Sequence, residues 1–150
     1  MKIAIASDHR GFKLKDGLIS YLTEKKYEVI DCGTLNEEST DYPDYAFKLG
    51  HTIVDKSADF GIAICGSGIG ISIACNKVKG IRCAKVDSIE DVIATRNDND
   101  ANVIAFGEKT SLEDAKMLVE TFINTPFSTE EKHLRRINKI KEYEEGKYDV

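Results

Sequence analysis

Short apolar runs alternate along this chain with longer stretches in which apolar residues recur every three or four positions. The first run, KIAIAS at 2–7, predicts a strand. In the GFKLKDGLISYLTEKK that follows, Phe12, Leu14, Leu18, Ile19 and Leu22 fall near helical spacing. YEVIDCG at 27–33 predicts a second strand ending at a glycine, and the polar TLNEESTDYPD leads to a helix around 44–56 with Ala46, Leu49, Ile53 and Val54 on its apolar side. DFGIAICG at 59–66 is almost continuously apolar, as expected of a parallel strand covered on both faces. GISIACNKV then predicts a short helix opening at Gly70. GIRCAKV at 80–86 and NVIAFG at 102–107 predict the last two strands, with helices over SIEDVIATRNDN at 88–99 and SLEDAKMLVETFINT at 111–125.

Strands alternating with helices predict an α/β fold: a doubly wound parallel sheet of five strands with helices on both faces. Ligands bind such sheets beyond the carboxyl ends of the strands. The loops after Ala6, Gly33, Ile64, Val86 and Phe106 are therefore the expected seat of chemistry. At 150 residues the chain is expected to be one domain, with its core in 1–125. From Pro126 the character changes. The arm 126–150 is heavily charged, with only Leu134, Ile137 and Ile140 as an apolar seam, so it cannot build a core of its own. It is expected to be a helical tail, either solvated or packed on a partner subunit, with a frayed end.

Composition narrows the function classes. No apolar run approaches the roughly 18 residues of a membrane helix, and MKIAIASDH turns polar too soon for a signal peptide. A net charge of −5, with no basic stripe interleaved by aromatics, disfavours nucleic acid as partner. A local cluster of Lys and Arg can still hold a phosphorylated small molecule. Cys32, Cys65, Cys75 and Cys83 form no CxxC pair or metal-ligand spacing, so free thiols in a reducing cytoplasm are expected, and no metal. Cys32, Cys75 and Cys83 read as small buried hydrophobes.

Cys65 differs because it opens CGSGIG at 65–70, at the end of the third strand. Glycines there permit close backbone approach and positive φ. A helix opening at Gly70 would turn free N–H groups toward the loop. The segment is not a P-loop, a dinucleotide fingerprint or a nucleophile elbow. A thiol beside an anion-holding loop suits either a nucleophile or a general base that sends charge to an oxygen. A turn with an incidental cysteine is the plainer alternative. Asp8 and His9, at the end of the first strand, are either a helix cap and a surface histidine or part of the site. Lys132 and Arg136, four apart, share a helix face that is either a phosphate clamp or solvated.

Taken together, SDHRGFKLK, DYPDYA, DFGIAICGSGIGISIACNKVKGIR and NDANVIAFG resemble the ribose-5-phosphate isomerase B family, which includes galactose-6-phosphate isomerase subunits. The resemblance runs from Met1 to about Ile140. It implies a cofactor-free aldose–ketose isomerase on a Rossmann-like sheet, a homodimer or dimer of dimers with sites shared between subunits. It further implies that Cys65 moves a proton between C1 and C2 of the open-chain sugar and that Ser67 assists. The backbone through Gly66, Gly68, Ile69 and Gly70 would stabilise the enediolate. Asp8, His9 and Tyr42 would contact the sugar. Asn99, Lys109, Lys132 and Arg136 would read the ends of the substrate, chiefly its phosphate.

The chain also departs from the family. DNDAN at 98–102 puts Asp98 where the family has the histidine thought to open the furanose ring. A carboxylate can act as acid or base there, yet it repels phosphate. Lys109 and Lys132 replace arginines, keeping charge but losing the bidentate fork. Val86 stands where many members have histidine. The expected reaction is ribose 5-phosphate to ribulose 5-phosphate. A hexose 6-phosphate isomerase, of the galactose or allose type, is the alternative that Asp98 favours. A sugar-phosphate-binding module without catalysis is the third, and it leaves Cys65 and Ser67 without a use.

Overall fold

A computed structural model describes residues 1–150. Five parallel strands form the sheet: β1 (Lys2–Ser7), β2 (Glu28–Asp31), β3 (Phe60–Cys65), β4 (Cys83–Lys85) and β5 (Val103–Gly107), in the order β2-β1-β3-β5-β4. The helices are α1 (Phe12–Glu24), α2 (Tyr42–Val54), α3 (Ile69–Cys75), α4 (Ile89–Asn99), α5 (Leu112–Asn124) and α6 (Glu131–Glu144). None is long and apolar enough to cross a membrane.

The alternation of each strand sorts large and small side chains onto opposite faces. Ile3, Ile5, Ile62, Ile64, Ile104 and Phe106 point to one side, where α1, α4 and α5 cover them with Leu18, Leu22, Val92, Leu118 and Phe122. Ala4, Ala6, Ala63 and Ala105 point to the other, where α2 and α3 pack closely through Ala46, Leu49, Ile71 and Ala74. Each fully buried Leu, Ile or Phe contributes about 2 kcal/mol of transfer free energy. Because β1 lies between β2 and β3, the chain leaves β1 for one face and β3 for the other. The crevice at their carboxyl ends is the switch point where such sheets bind ligands.

Three local expectations shift. Helix α2 begins at Tyr42 rather than 44, because Pro43 is tolerated in a first turn, where its missing N–H has no helical partner. Helix α3 begins at Ile69, one residue before Gly70. Strand β4 shrinks to three residues. Ahead of it the Arg82 N–H donates to the Asn102 side chain, and Ile81 N–H closes a turn on Val78. The tail helix α6 lies against α4 of its own chain, burying His133 and Ile137 while Leu134 and Ile140 stay exposed.

Candidate active site

The carboxyl ends of β1, β3, β4 and β5 open on one cavity of about 640 Å³. Cys65 ends β3 and is 4% exposed. Its Sγ accepts the N–H of Gly68 at 3.2 Å, so the loop folds back over the thiol. Gly68 has φ +80°, and a Cβ there would lie 2.6 Å from the Phe106 carbonyl carbon. Only glycine meets both demands. Ser67 Oγ accepts the N–H of Ile69 at 3.1 Å. The amides of Gly66, Ser67 and Gly70 have no acceptor within the chain, which leaves donors free to meet an oxyanion.

Neighbouring loops shape the walls. Asp8 is buried, and its Oδ1 accepts the N–H groups of Arg10 (3.0 Å) and Gly11 (3.1 Å). It therefore closes the turn into α1 and lines the cavity as well. Tyr42 opens α2 with its ring against Gly70, where a Cβ would sit 2.7 Å from Cζ. His9 stands one step back: its Nδ1 accepts the Thr40 N–H at 3.2 Å, tying down the loop before α2. Lys109 follows β5 and is the one cation lining the cavity with no ion-pair partner.

Several lining residues escaped the sequence reading: Arg10, Lys85, Asp87, Gly107 and Thr110. Arg10 pairs with Glu108 across the β3 loop, joining the loops that flank it, and its guanidinium rests on Gly66. The Glu108 hydrogen bond holds the Arg10 guanidinium above its already high range. Lys85 pairs with Asp87 at the end of β4. Both were hidden by sequence context, Lys85 inside an apolar strand and Asp87 beside a helix cap. The one available signal was a lysine next to the end of a strand whose end faces the site.

Besides His9 and Gly68, which stand behind the cavity wall, four expected site residues lie away from it altogether. Asp98 and Asn99 end α4, and a helix returning from a strand's carboxyl end finishes at the opposite edge of the sheet. Asp98 Oδ1 lies 3.3 Å from His133 Nε2 on α6 and accepts the Asn97 amide at 2.8 Å. The Asn99 carbonyl accepts Arg82 Nε at 2.9 Å. Lys132 and Arg136 are on α6; Lys132 lies 3.8 Å from Glu130. Within one chain the cavity thus holds the thiol, the amide cradle and Lys109, but not the second group of cations. Val86, at the position of the family's histidine, is buried in the core.

Known proteins match this chain in sequence and fold over nearly its whole length. The chain is 41% identical to ribose-5-phosphate isomerase B of Escherichia coli over 140 residues, covering 93% of each. Ribose-5-phosphate isomerase B of Clostridium thermocellum superposes with a TM-score of 0.94 at 43% identity, covering 97% of this chain and 99% of that one. The Mycoplasma genitalium enzyme, solved with bound ribulose-5-phosphate, superposes at 0.91 with 36% identity and 96% coverage of each chain. The ribose/galactose isomerase family model matches residues 3–140, which include β3, its glycine loop and every wall of the cavity, and the chain belongs to that family.

Proposed function

We propose that this chain interconverts ribose 5-phosphate and ribulose 5-phosphate through a cis-enediolate, with Cys65 as the general base. The observation that carries the reading is the Cys65 thiol at the cavity wall beside the unpaired amides of Gly66, Ser67 and Gly70. Cys65 takes the proton from C2 of the open-chain aldose and returns it to C1. As it does so, charge moves onto the carbonyl oxygen, where those amides donate. Ser67 moves the hydroxyl proton between O1 and O2. Asp8, His9 and Tyr42 orient the sugar, and Lys109 meets the phosphate.

The reading includes a second copy of the chain. Its Asn99, Lys132 and Arg136 would complete the phosphate end of the site in a homodimer or a dimer of dimers. Exposed Phe47, Ile69 and Ile73 on α2 and α3, beside the cavity, offer that copy an apolar surface. Four unpaired thiols suit a reducing cytoplasm. The room in the cavity and the acid at 98 favour hexose 6-phosphates as a second substrate class.

The test is hydrogen exchange in deuterated water with a panel of phosphorylated and free aldoses. Ribose 5-phosphate is expected to exchange at C2, and Cys65→Ala to abolish exchange while still binding the sugar. No exchange with any sugar would sink the reading, and exchange with hexose phosphates alone would move it to the second class.

A further inference from the structure

An aldopentose 5-phosphate closes to a furanose in water. Before Cys65 can act, a proton must leave the anomeric hydroxyl and another must reach the ring oxygen. Asp98 carries the position at which the family resemblance implies a ring-opening histidine. Its carboxylate accepts from the Asn97 side-chain amide and lies 3.3 Å from His133 Nε2, so it is committed within its own chain. Inside the cavity most titratable groups are committed. Asp8 closes the turn into α1, Arg10 is held by Glu108, and Cys65 is given to the carbon acid. Lys109 is given to the phosphate. Tyr42 is a lone hydroxyl whose ring packs against Gly70. The remaining pair, Lys85 and Asp87, combines a proton donor with a proton acceptor.

Resting on the isomerase reading above, we propose that the Lys85–Asp87 ion pair is the ring-opening couple. The Asp87 carboxylate takes the proton of the anomeric hydroxyl. The C1–O4 bond breaks as the C1 carbonyl forms, and O4 receives a proton from the Lys85 ammonium. The proton on Asp87 then crosses their hydrogen bond to the Lys85 amine and restores the pair. One proton has moved from O1 to O4, and no other reactant is consumed.

The placement suits the task. Lys85 pairs in register with Ala105 of β5, and β5 separates β4 from the β3 that carries Cys65. Two strand spacings, about 10 Å, therefore separate the couple's strand from the base's strand. The Lys85 side chain is 28% exposed and that of Asp87 74%, so both reach the open part of the cavity. The Asp87 N–H donates to Asp91 Oδ2 on the first turn of α4, which anchors the turn that presents it.

Ribulose 5-phosphate separates ring opening from enolisation, because its phosphorylated O5 cannot close a furanose. Exchange of its C1 protons in deuterated water reports Cys65 alone. Asp87→Asn and Lys85→Met are expected to slow ribose 5-phosphate turnover about 100-fold, in kcat, while changing that exchange less than about twofold. Asp98→Asn, assayed beside them, is expected to show no such split. Normal turnover in Asp87→Asn and Lys85→Met would overturn the proposal. So would loss of exchange in step with turnover, a rise in KM with kcat intact, or a split shown by Asp98→Asn instead. If the unmutated protein exchanges no C1 protons, the isomerase reading itself fails, which keeps the two failures distinct.

Discussion

Gly68 shows how one residue can be bound by backbone and site together. Its φ of +80° disfavours any Cβ, and the Phe106 backbone occupies the space a Cβ would need. A backbone cannot rotate away as a side chain can, so the loop itself must move, and with it the N–H that meets Cys65 Sγ. Gly80 makes a useful contrast, since its φ is +93° but a Cβ there meets only the Val54 side chain at 3.1 Å. We expect Gly68→Ala and Gly80→Ala each to lose about 1–2 kcal/mol from backbone strain. In Gly68→Ala kcat should also fall by about 100-fold or more, whereas Gly80→Ala keeps near-normal turnover. Denaturant melts and steady-state kinetics on the two variants check this, and equal kinetics would show that the loop tolerates displacement.

At the scale of elements, helix α1 is joined to the edge of the sheet by a charge its amphipathic pattern does not announce. Lys15 is 1% exposed in its side chain and donates to Asp31 Oδ1 at 2.7 Å, at the end of β2. That oxygen also accepts the Gly33 N–H at 2.9 Å. Removing the acid strands a buried ammonium, whereas replacing the lysine with an apolar side chain of similar length leaves only an exposed carboxylate. Asp31→Ala is therefore expected to cost about 3 kcal/mol and Lys15→Met less than about 1 kcal/mol. Equal losses in urea unfolding would mean that the pair stabilises by attraction rather than by avoiding an orphaned charge. Strand β4 makes a related point. The pattern of GIRCAKV supports seven residues, yet side-chain bonds from Asn102 and Asn76 take over part of the ladder, and only Cys83–Lys85 pair as strand.

For the whole molecule, the decisive matter is which end of the sheet each group occupies. Cys65 and Lys109 stand at the carboxyl edge, while Asp98, Asn99, Lys132 and Arg136 lie away from that cavity. A shared site predicts that two inactive variants rescue each other. Mixing Cys65→Ala with Arg136→Ala, after dissociation and reassociation, should restore about a quarter of full activity, because half of the dimers are mixed and each has one intact site. Absence of rescue, with mixed dimers demonstrated by native mass spectrometry, would place the whole site within one chain.

What could be read from the residues is what depends on local order. Periodicity in KIAIAS, DFGIAICG and the helices between them was enough for a parallel sheet covered on both faces, because the strand and helix repeats are properties of neighbouring residues. CGSGIG likewise pointed to a thiol beside open amides, since its glycines act within six positions of each other. Lys85, Asp87 and Arg10 were not legible as site residues. Nothing near them in sequence says that β4 and β5 lie side by side, or that the loops after β1 and β5 meet across Gly66. Nor did the pattern around Asp98 reveal that α4 carries it away from the thiol to His133. Strand order and helix direction bring distant segments together or hold them apart, and those are settled only when the two faces of the sheet are packed.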